Sequence, residues 1–313
     1  MASTQFNFMP VAIKPGSSAC HYVGRFAPSP TGPLHFGSLV SAVASYLDAK
    51  ANKGEWLVRI EDIDPPRESS GSSDKILRQL QEHGLQWDRE VLYQSHRTEA
   101  YLSALKTLKR SGLIFSCHCS RQQLKEYAAT HSYPCPPTSS STLSSLRLLA
   151  EDNKIIIFDD IFQGQQRQSI KEEVGDMVLC RKDGLYAYQL AVVIDDCFQK
   201  ITHVIRGSDL LESTPRQIYL QDLLKFPTPT YGHVPIAVDK EGRKLSKQNL
   251  APSLGCQAAT KNLTNAISWL GLSLPDKLSK TNHCDELLAW ATAHWNHDKV
   301  PRMQQSQNPD NLK

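Results

Sequence analysis

The sequence predicts an α/β protein built around a parallel sheet, and two observations support this fold class. First, the strand candidate HYVGRFA leads through the Pro/Gly-rich loop PSPTGP into a helical run, LHFGSLVSAVASYLDAKA, and a second strand candidate, GEWLVRI, follows. A strand, a helix and a strand in this order form a parallel pair with a crossover helix. Second, strand and helix candidates resume later in the chain, at THVIRGSDLL and TPRQIYLQDLLK.

The loop between the first strand and the first helix is a candidate ligand site. The segment up to about Ser18 is interpreted as a tail, and the pattern that follows it places His35 and Gly37 at the start of the helix. Helix N-termini present free backbone N–H groups and a partial positive charge. This loop is therefore suited to phosphate.

The second strand ends in an acidic cluster, EDIDPPR, which begins at Glu61. In open parallel sheets, ligands bind beyond the carboxyl ends of the strands, so Glu61 is expected at the ligand-binding edge. Two helix candidates follow. The first, SSDKILRQLQEHG, opens on serine and ends at Gly84, and the second is HRTEAYLSALKTLKRSG.

The character of the sequence changes from about Ile114 to Gln168. This segment holds clustered cysteines, the stretch YPCPPTSSSTLSS and short strand candidates such as KIIIFDD, and it is interpreted as an insertion between the halves of the main domain. The sheet is expected to resume at DMVLCRKDGLYAYQLAVVIDD. This interpretation makes Asp195 and Asp196 a turn at a strand end, in preference to a metal-binding pair.

Five segments follow from these patterns. The tail is 1–18, the halves of the main domain are 19–113 and 179–250, the insertion is 114–178, and the short helical C-terminal region is 251–313. In the last region, we expect Trp269, Leu270, Trp290 and Trp295 to belong to the core rather than to a base-stacking surface. His233, near the end of the second half, is interpreted as packing beside a nucleotide-binding loop, with a structural role at least as well supported as contact with ATP.

Composition restricts the functional class. The chain has 313 residues, of which 40% are hydrophobic and 21% charged, which is typical of globular proteins and excludes disordered and fibrous classes. A net charge of +3 is too small to predict nucleic-acid binding by itself. No apolar run has the length of a membrane span and the N-terminus lacks the pattern of a secretory signal, so a cytoplasmic location is expected.

Two segments far apart in the chain carry groups suited to a nucleoside triphosphate. RFAPSPTGPLHFGSL supplies a guanidinium (Arg25), a hydroxyl (Ser29) and an imidazole (His35), and RKLSKQN supplies Lys244 and Lys247. Phosphoryl-transfer chemistry requires positioning and cations beside the developing charge. A Pro-rich turn and a surface lysine loop are the alternatives for each segment alone. The two segments together favour a nucleotide site.

Further motifs lie in order between these segments: RIEDIDPPR, a CxC pair, DGLYAYQLAVVIDD, THVIRGSDLLESTPRQIYLQ and YGHVPIAVDKEGRKLSKQN. With the first segment they cover most of Val23 to Asn249, and the set resembles the glutamyl-tRNA synthetases of class I, and more closely their short paralogues, the glutamyl-Q tRNA(Asp) synthetases. The resemblance implies a Rossmann-type class I synthetase catalytic core, an inserted zinc-binding-like subdomain and a short helical C-terminal region. It also implies that L-glutamate is activated with ATP and Mg²⁺ as glutamyl-adenylate.

The resemblance also implies roles for individual residues. Arg206 would hold the side-chain carboxylate of glutamate, Arg25 would hold carboxylate charge, and Glu61 would hold the ammonium group, which agrees with the charges of that amino acid. By this resemblance, the glutamate site comprises Arg25, Ser29, Glu61, Tyr188 and Arg206; the ATP site comprises Pro28, His35, Gly37, Ser38 and Lys247; and the catalytic residues are His35, Lys244 and Lys247.

The close cysteines are a candidate metal site. In a reducing compartment, Cys117, Cys119 and Cys135 favour a metal over a disulfide. The zinc site of the resembling family has three thiolates and a tyrosine oxygen, which implies a site of Cys117, Cys119, Tyr133 and Cys135. The single residue between the tyrosine and the third cysteine is shorter than the usual spacer of that family. His118 or His131 therefore stays open as the fourth ligand, and a metal-free loop is the alternative.

The acceptor of the glutamate is predicted from the second half of the chain. Only 66 residues follow Lys247, whereas the resemblance implies a large helical anticodon-binding region there in full-length enzymes. No such region is expected, and the predicted acceptor is queuosine at the wobble position of tRNA(Asp), with the protein a monomer. A truncated enzyme that charges the tRNA 3′ end, a nucleotidyltransferase acting on a small molecule and a non-catalytic RNA-binding descendant stay open.

Overall fold

The structure is a computed structural model that describes residues 21–126, 135, 143–238, 254, 258–302 and 305–307. Its main element is a sheet built from two groups of strands, with the orders β3-β2-β1 and β7-β6-β10-β9. Neighbouring strands run parallel except in the hairpin of β6 and β7. The strands are β1 (Val23–Phe26), β2 (Glu55–Ile60), β3 (Leu92–Tyr93), β6 (Ile155–Asp160), β7 (Gly164–Ser169), β9 (His203–Gly207) and β10 (Thr230–Val234).

The two groups of strands meet between β1 and the start of β9. The backbone N–H of Thr202 donates to Val23 O at 2.9 Å, and the N–H of Val23 donates to Thr202 Oγ1 at 2.9 Å. β1 and β9 are therefore the neighbouring central strands, with β2 and β3 on one side and β10, β6 and β7 on the other. In sheets of this kind the ligand binds where the strand order reverses, at the carboxyl ends of the central strands. The predicted α/β class is confirmed.

The helices of the first half begin and end close to the predicted positions. They are α1 (Phe36–Ala51), α2 (Ser72–Glu82) and α3 (Thr98–Arg110). Leu39 and Val43 of α1 are fully buried, and the helix contacts β1 and β9. Helix α2 ends just before Gly84, which has a φ of +74° that glycine adopts without strain.

The segment after the insertion is helical where the sequence predicted a strand. Helix α5 spans Tyr188–Phe198, so Asp195 and Asp196 lie within a helix and the prediction of a strand-end turn is wrong. All residues from 190 to 196 are buried, because α5 packs between α3 and α6 (Thr214–Leu224). A helix that is buried on most sides has a continuous apolar run, and periodicity does not distinguish such a run from a buried strand.

A smaller antiparallel sheet occupies part of the predicted insertion. Its order is β4-β5-β8, and the helix α4 follows β4. The hairpin of β6 and β7 falls in the same segment of sequence, but it pairs with β10 of the main sheet, where Asp160 lies opposite Tyr231. The predicted domain boundaries stay a prediction. The elements are β4 (Ile114–Cys117), α4 (Arg121–Glu126), β5 (Ser145–Leu148) and β8 (Met177–Cys180).

The C-terminal region packs on α1 and is largely helical, as predicted. Trp269 is 7% exposed, and Trp290 and Trp295 pack against the same core, which confirms the prediction for these side chains. None of the described helices has the length and apolar character needed to cross a membrane. The remaining elements are β11 (Ile236–Val238), α7 (Ala259–Trp269), α8 (Asp276–Ser279), α9 (Cys284–Ala293) and β12 (Gln305–Gln307), which pairs with β11.

A buried carboxylate, that of Asp48 on α1, fastens the C-terminal region to the core. Trp295 Nε1–H donates to Asp48 Oδ1 at 2.8 Å, and the same oxygen accepts a hydrogen bond from His297. The second oxygen accepts a hydrogen bond from the Tyr22 hydroxyl. Burial alone would raise the pKa of Asp48, but the hydrogen bonds from His297, Tyr22 and Trp295 hold this pKa below its usual value.

Candidate active site

The residues predicted to bind ATP and glutamate meet in one cleft. The cleft has a volume of about 750 Å³ and lies at the carboxyl ends of β1, β2 and β9. The topology explains the convergence, because parallel strands that end at one edge bring their following loops together. Lys244 and Lys247 lie outside the described residues. The predicted residues that line the cleft are Arg25, Pro28, Ser29, His35, Gly37, Ser38, Glu61, Tyr188 and Arg206.

The start of α1 forms one side of the cleft. The His35 ring lies across the helix start, where its Nδ1 accepts the backbone N–H of Ser38 at 3.3 Å. The first N–H groups of a helix carry partial positive charge and favour phosphate oxygens. Gly207 also lines the cleft, and a Cβ at this position would lie 2.5 Å from Asp209 Oδ1, so a larger residue would displace Asp209. This side of the cleft can accommodate a nucleotide.

Arg25 is held in a buried ion pair with Asp196. Its Nε and Nη2 donate to the two carboxylate oxygens at 3.2 and 3.3 Å. Arg59 Nη1 lies 2.7 Å from Asp196 Oδ1, and Arg59 Nη2 lies 3.6 Å from Glu61 Oε1. Burial alone would raise the pKa of Asp196, but Arg25 and Arg59 hold this pKa below its usual value. Two guanidinium groups therefore face two carboxyl groups, and the charge of Arg25 is already shared with Asp196.

Glu61 is a buried carboxyl group with unused acceptor capacity. Its Oε1 has no hydrogen-bond partner among the described residues, and its backbone N–H is fixed by Pro28 O at 3.0 Å. Burial raises the pKa of Glu61 to about 7, against the attraction of Arg59 and Arg25. An ammonium group that donates to this carboxylate would favour its ionised form and lower the pKa.

Arg206 lies buried in the cleft wall, with 4% of its surface exposed. It makes four hydrogen bonds: Nε to His233 Nε2 at 2.9 Å, Nη1 to Tyr188 Oη at 3.2 Å, and Nη2 to Thr214 Oγ1 at 2.7 Å and Leu210 O at 3.3 Å. None of these acceptors is a carboxylate. Among the described residues, no ion pair to Arg206 is formed, although buried charges are normally paired.

His233 accepts from Arg206 because its other nitrogen is committed to Asp160. His233 Nδ1 donates to Asp160 Oδ2 at 2.5 Å. Asp160 Oδ1 accepts three backbone N–H groups, those of Phe162 at 3.1 Å, Gln163 at 3.0 Å and His233 at 3.0 Å. Burial lowers the pKa of His233 to about 4; the bond to Asp160 opposes this shift and the charge of Arg206 adds to it. His233 is therefore neutral near pH 7.

The three close cysteines form a separate cluster at the end of β4. The sulfur atoms of Cys117, Cys119 and Cys135 all lie within 4.8 Å of one another. Burial and the neighbouring sulfurs of Cys117 and Cys119 together raise the pKa of Cys135 to about 12. Three sulfur atoms this close together can serve as ligands of one metal ion, which would stabilise their thiolate forms. The ring of His118 is not part of this group among the described residues, and Tyr133 and His131 lie outside them.

Sequence reasoning missed the residues that hold the predicted ones in place. Arg59 had a usable signal: it is a charge within the otherwise apolar strand EWLVRI, and a buried charge requires a partner. The sequence predicts Asp196 at a strand end, whereas it lies on α5 opposite Arg25. Thr214 and Asp160 gave no signal, because they reach Arg206 and His233 only through the tertiary fold.

Comparison with known proteins identifies the family. A family model described as the catalytic domain of class I tRNA synthetases (E and Q) matches residues 22–154 and 138–261. The chain belongs to this family. The synthetase resemblance and the Rossmann-type class I core that it implied are thereby confirmed. Class I synthetases use ATP with Mg²⁺, in agreement with the helix start that faces the cleft.

Named relatives of this class I synthetase cover nearly its whole described length. It is 48% identical over 281 residues to the glutamyl-Q tRNA(Asp) synthetase of Pseudomonas aeruginosa, and the match covers 90% of this chain and 96% of that protein. It is 49% identical over 294 residues to the glutamyl-Q tRNA(Asp) synthetase of Dechloromonas aromatica, with 90% and 96% covered.

The solved structures agree on the fold of the synthetase. A glutamate tRNA ligase from Elizabethkingia meningosepticum, solved in complex with its amino acid, aligns with a TM-score of 0.76 at 25% identity. The alignment covers 92% of this chain and 67% of that one. The glutamate-tRNA synthetase of Elizabethkingia anophelis aligns with a TM-score of 0.75 at 25% identity.

Proposed function

We propose that this synthetase activates L-glutamate with ATP as glutamyl-adenylate and transfers the glutamyl group to queuosine at the wobble position of tRNA(Asp). The observation that carries the amino-acid specificity is the environment of Arg206. This guanidinium is buried in the cleft wall, and its four hydrogen-bond acceptors include no carboxylate. A ligand carboxylate at this position completes an ion pair that the described residues leave incomplete.

The rest of the pocket fits the α-amino acid group of the same ligand. Glu61 lines the cleft, where its carboxylate can accept from the ammonium group. The positive charges of Arg25 and Arg59 are paired with the carboxyl groups of Asp196 and Glu61. A ligand group with one ammonium and one carboxylate has no net charge and therefore leaves this charge balance unchanged. Arg25 then contacts the α-carboxylate, and Arg206 contacts the side-chain carboxylate. Tyr188, whose hydroxyl accepts from Arg206, and Ser29 complete the site.

The chemical step needs positioning and charge stabilisation. An oxygen of the α-carboxylate attacks the α-phosphorus of ATP, the bond to the β-phosphate oxygen breaks, and pyrophosphate leaves. His35, Gly37 and Ser38 present the start of α1 to the phosphates. Lys244 and Lys247, predicted from the sequence, neutralise the charge that develops on the leaving pyrophosphate. Mg²⁺ bound with ATP supplies further positive charge.

The zinc assignment is part of the proposal. Three clustered sulfurs match the thiolate set of structural zinc sites, which take four ligands. Cys117, Cys119 and Cys135 would hold the ion, with Tyr133 as the predicted fourth ligand. A closed site of this kind contributes to folding and supplies no catalytic water.

The acceptor is assigned through the named relatives. Glutamyl-Q tRNA(Asp) synthetases match 90% of this chain at 48–49% identity, over 96% of their own length. Queuosine carries a cyclopentenediol, and one of its hydroxyl oxygens attacks the carbonyl carbon of the adenylate. The new ester forms as AMP leaves and the hydroxyl proton is lost.

Amino-acid-dependent exchange of pyrophosphate into ATP, in the presence of tRNA(Asp), tests the activation step. We expect exchange with glutamate and not with glutamine or aspartate. Arg206→Leu should raise the KM for glutamate about 100-fold or more, because it removes the buried partner of the carboxylate, while the KM for ATP stays within about twofold. Arg110→Leu, an exposed change at the end of α3, is the matched control. Equal losses for glutamate and ATP in Arg206→Leu would contradict the assignment.

A further inference from the structure

We infer that His233 is the positioning residue that makes this pocket select glutamate: held in one tautomer by Asp160, it gives Arg206 an uncharged acceptor and leaves the charge of Arg206 for the substrate. The inference rests on the proposed function and extends it to residues that touch no substrate. Both His233 and Asp160 are buried, and neither lines the cleft.

The direction of each hydrogen bond follows from what the groups can donate. Arg206 Nε carries a hydrogen and can only donate, so His233 Nε2 must accept from it at 2.9 Å. The remaining ring proton then lies on Nδ1, which donates to Asp160 Oδ2. Asp160 in turn is fixed by the three backbone N–H groups that donate to Oδ1. All these bonds therefore donate towards Asp160: the guanidinium donates to the imidazole and the imidazole to Asp160 Oδ2, while the backbone N–H groups donate to Asp160 Oδ1.

The identity of the acceptor matters because the group that accepts from Arg206 can be either charged or neutral. A carboxylate in place of His233 would pair with Arg206 and cancel its charge in the wall of the pocket. The neutral ring instead fixes the orientation of the guanidinium without cancelling the charge. Thr214 Oγ1 and Leu210 O do the same on the other side. A ligand with a side-chain carboxylate is then favoured over the isosteric amide, because only the carboxylate pairs with the buried cation.

The arrangement also explains why Asp160 does not itself cancel this charge. Its two oxygens are occupied by three backbone N–H groups and by His233, and the ring lies between it and Arg206. Burial alone would raise the pKa of Asp160, but its hydrogen bond with His233 and the backbone bonds hold this pKa below its usual value. Asp160 therefore stays ionised and continues to fix the tautomer.

The decisive experiment compares His233→Gln with His233→Glu in the full chain, at pH 8. Both side chains can offer Arg206 an acceptor oxygen and have nearly the same shape, but the glutamate carries a negative charge and lacks the amide N–H groups that could donate to Asp160. The readouts are the KM for glutamate and for ATP in pyrophosphate exchange, the ratio of glutamate to glutamine use, and the midpoint of thermal unfolding as a control for folding.

We expect His233→Gln to keep the KM for glutamate within about tenfold of wild type. We expect His233→Glu to raise it by roughly 100-fold or more and to reduce the preference for glutamate over glutamine by a similar factor, with the KM for ATP unchanged. Equal effects of the two variants, or equal losses for glutamate and ATP, would overturn the inference. If His233 had only a structural role, its replacement would not raise the KM for glutamate selectively.

A second measurement is independent of activity. In protein with ¹⁵N-labelled histidine, the His233 ring should be neutral and carry its proton on Nδ1 at pH 7, and Asp160→Asn should change this signal. A charged ring, or a proton on Nε2, would overturn the inference even if glutamate is activated. Conversely, wild-type protein that shows this tautomer but no glutamate-dependent exchange would contradict the proposed function and leave the Asp160–His233–Arg206 arrangement intact.

Discussion

Asp196, on α5, receives two hydrogen bonds from Arg25, on β1, across a sequence separation of 171 residues. The same carboxylate pairs with Arg59, so its loss would leave two guanidinium groups buried with less compensation. Asp196→Ala should therefore lower the free energy of unfolding by about 3–5 kcal/mol, as measured by urea denaturation. Asp183→Asn, which removes an exposed partner of Arg181, is the control. Similar losses in the two variants would show that the buried pair has no special role.

Glutamate binding should depend on pH through Glu61. Burial raises the pKa of this carboxyl group to about 7, so below pH 7 the free enzyme is largely protonated there, and the proton must leave before the substrate ammonium can pair with the carboxylate. The KM for glutamate should rise about tenfold for each pH unit below 7 and level off above about pH 8. Glu61→Gln should show a higher KM that changes little between pH 6 and 8. An unchanged profile in Glu61→Gln would assign the dependence to another group.

Zinc should be present in protein prepared without added metal, at about one ion per chain, and its removal should destabilise the region around β4. Cys117→Ser should lower the zinc content and the midpoint of thermal unfolding together. Cys197→Ser, a change at a solitary cysteine on α5, should alter neither the zinc content nor its response to a chelator. Full zinc content in Cys117→Ser would exclude this cluster as the site.

The contact between Asp48 and His297 should make stability depend on pH in a defined window. The hydrogen bond to Asp48 raises the pKa of His297 above 6.5, so this contribution is complete below pH 6.5 and is lost as the pH rises through the raised value. The pKa of Asp48 is lowered below 3.8, so its contribution is complete above pH 3.8 and is lost on acidification through the lowered value.

The difference in unfolding free energy between wild type and His297→Gln should accordingly be largest between about pH 4 and 6.5 and should shrink above this range. Urea denaturation at pH 5.5 and pH 8.5 checks this expectation. A difference that grows from pH 5.5 to pH 8.5 would show that the pair does not act as an ion pair. His294→Gln is a control on the same segment, at a histidine whose ring bonds the backbone carbonyl of Trp290 and stacks on its indole ring.

The sequence was sufficient to predict where the cleft forms, and insufficient to predict how its charges are arranged. The glycines and prolines of the first loop predict that His35 lies at a helix start, and the acidic end of β2 predicts that Glu61 lies at the ligand-binding edge. Both positions depend only on the local order of strand, loop and helix. The pairing of Arg25 with Asp196 depends on α5 being a helix, and the run AVVIDD has no periodicity that reveals it. His233 was placed near the site, but its contact with Arg206 depends on the register of β9 against β10.

The most direct test of the account is the attachment of labelled glutamate to four forms of tRNA(Asp), with and without queuosine, and with and without the 3′-terminal adenosine. We expect ATP-dependent label on both queuosine-containing forms, irrespective of the 3′-terminal adenosine, and none on the forms that lack queuosine. Label that requires the 3′-terminal adenosine and is indifferent to queuosine would contradict it and would indicate ordinary charging of the tRNA 3′ end.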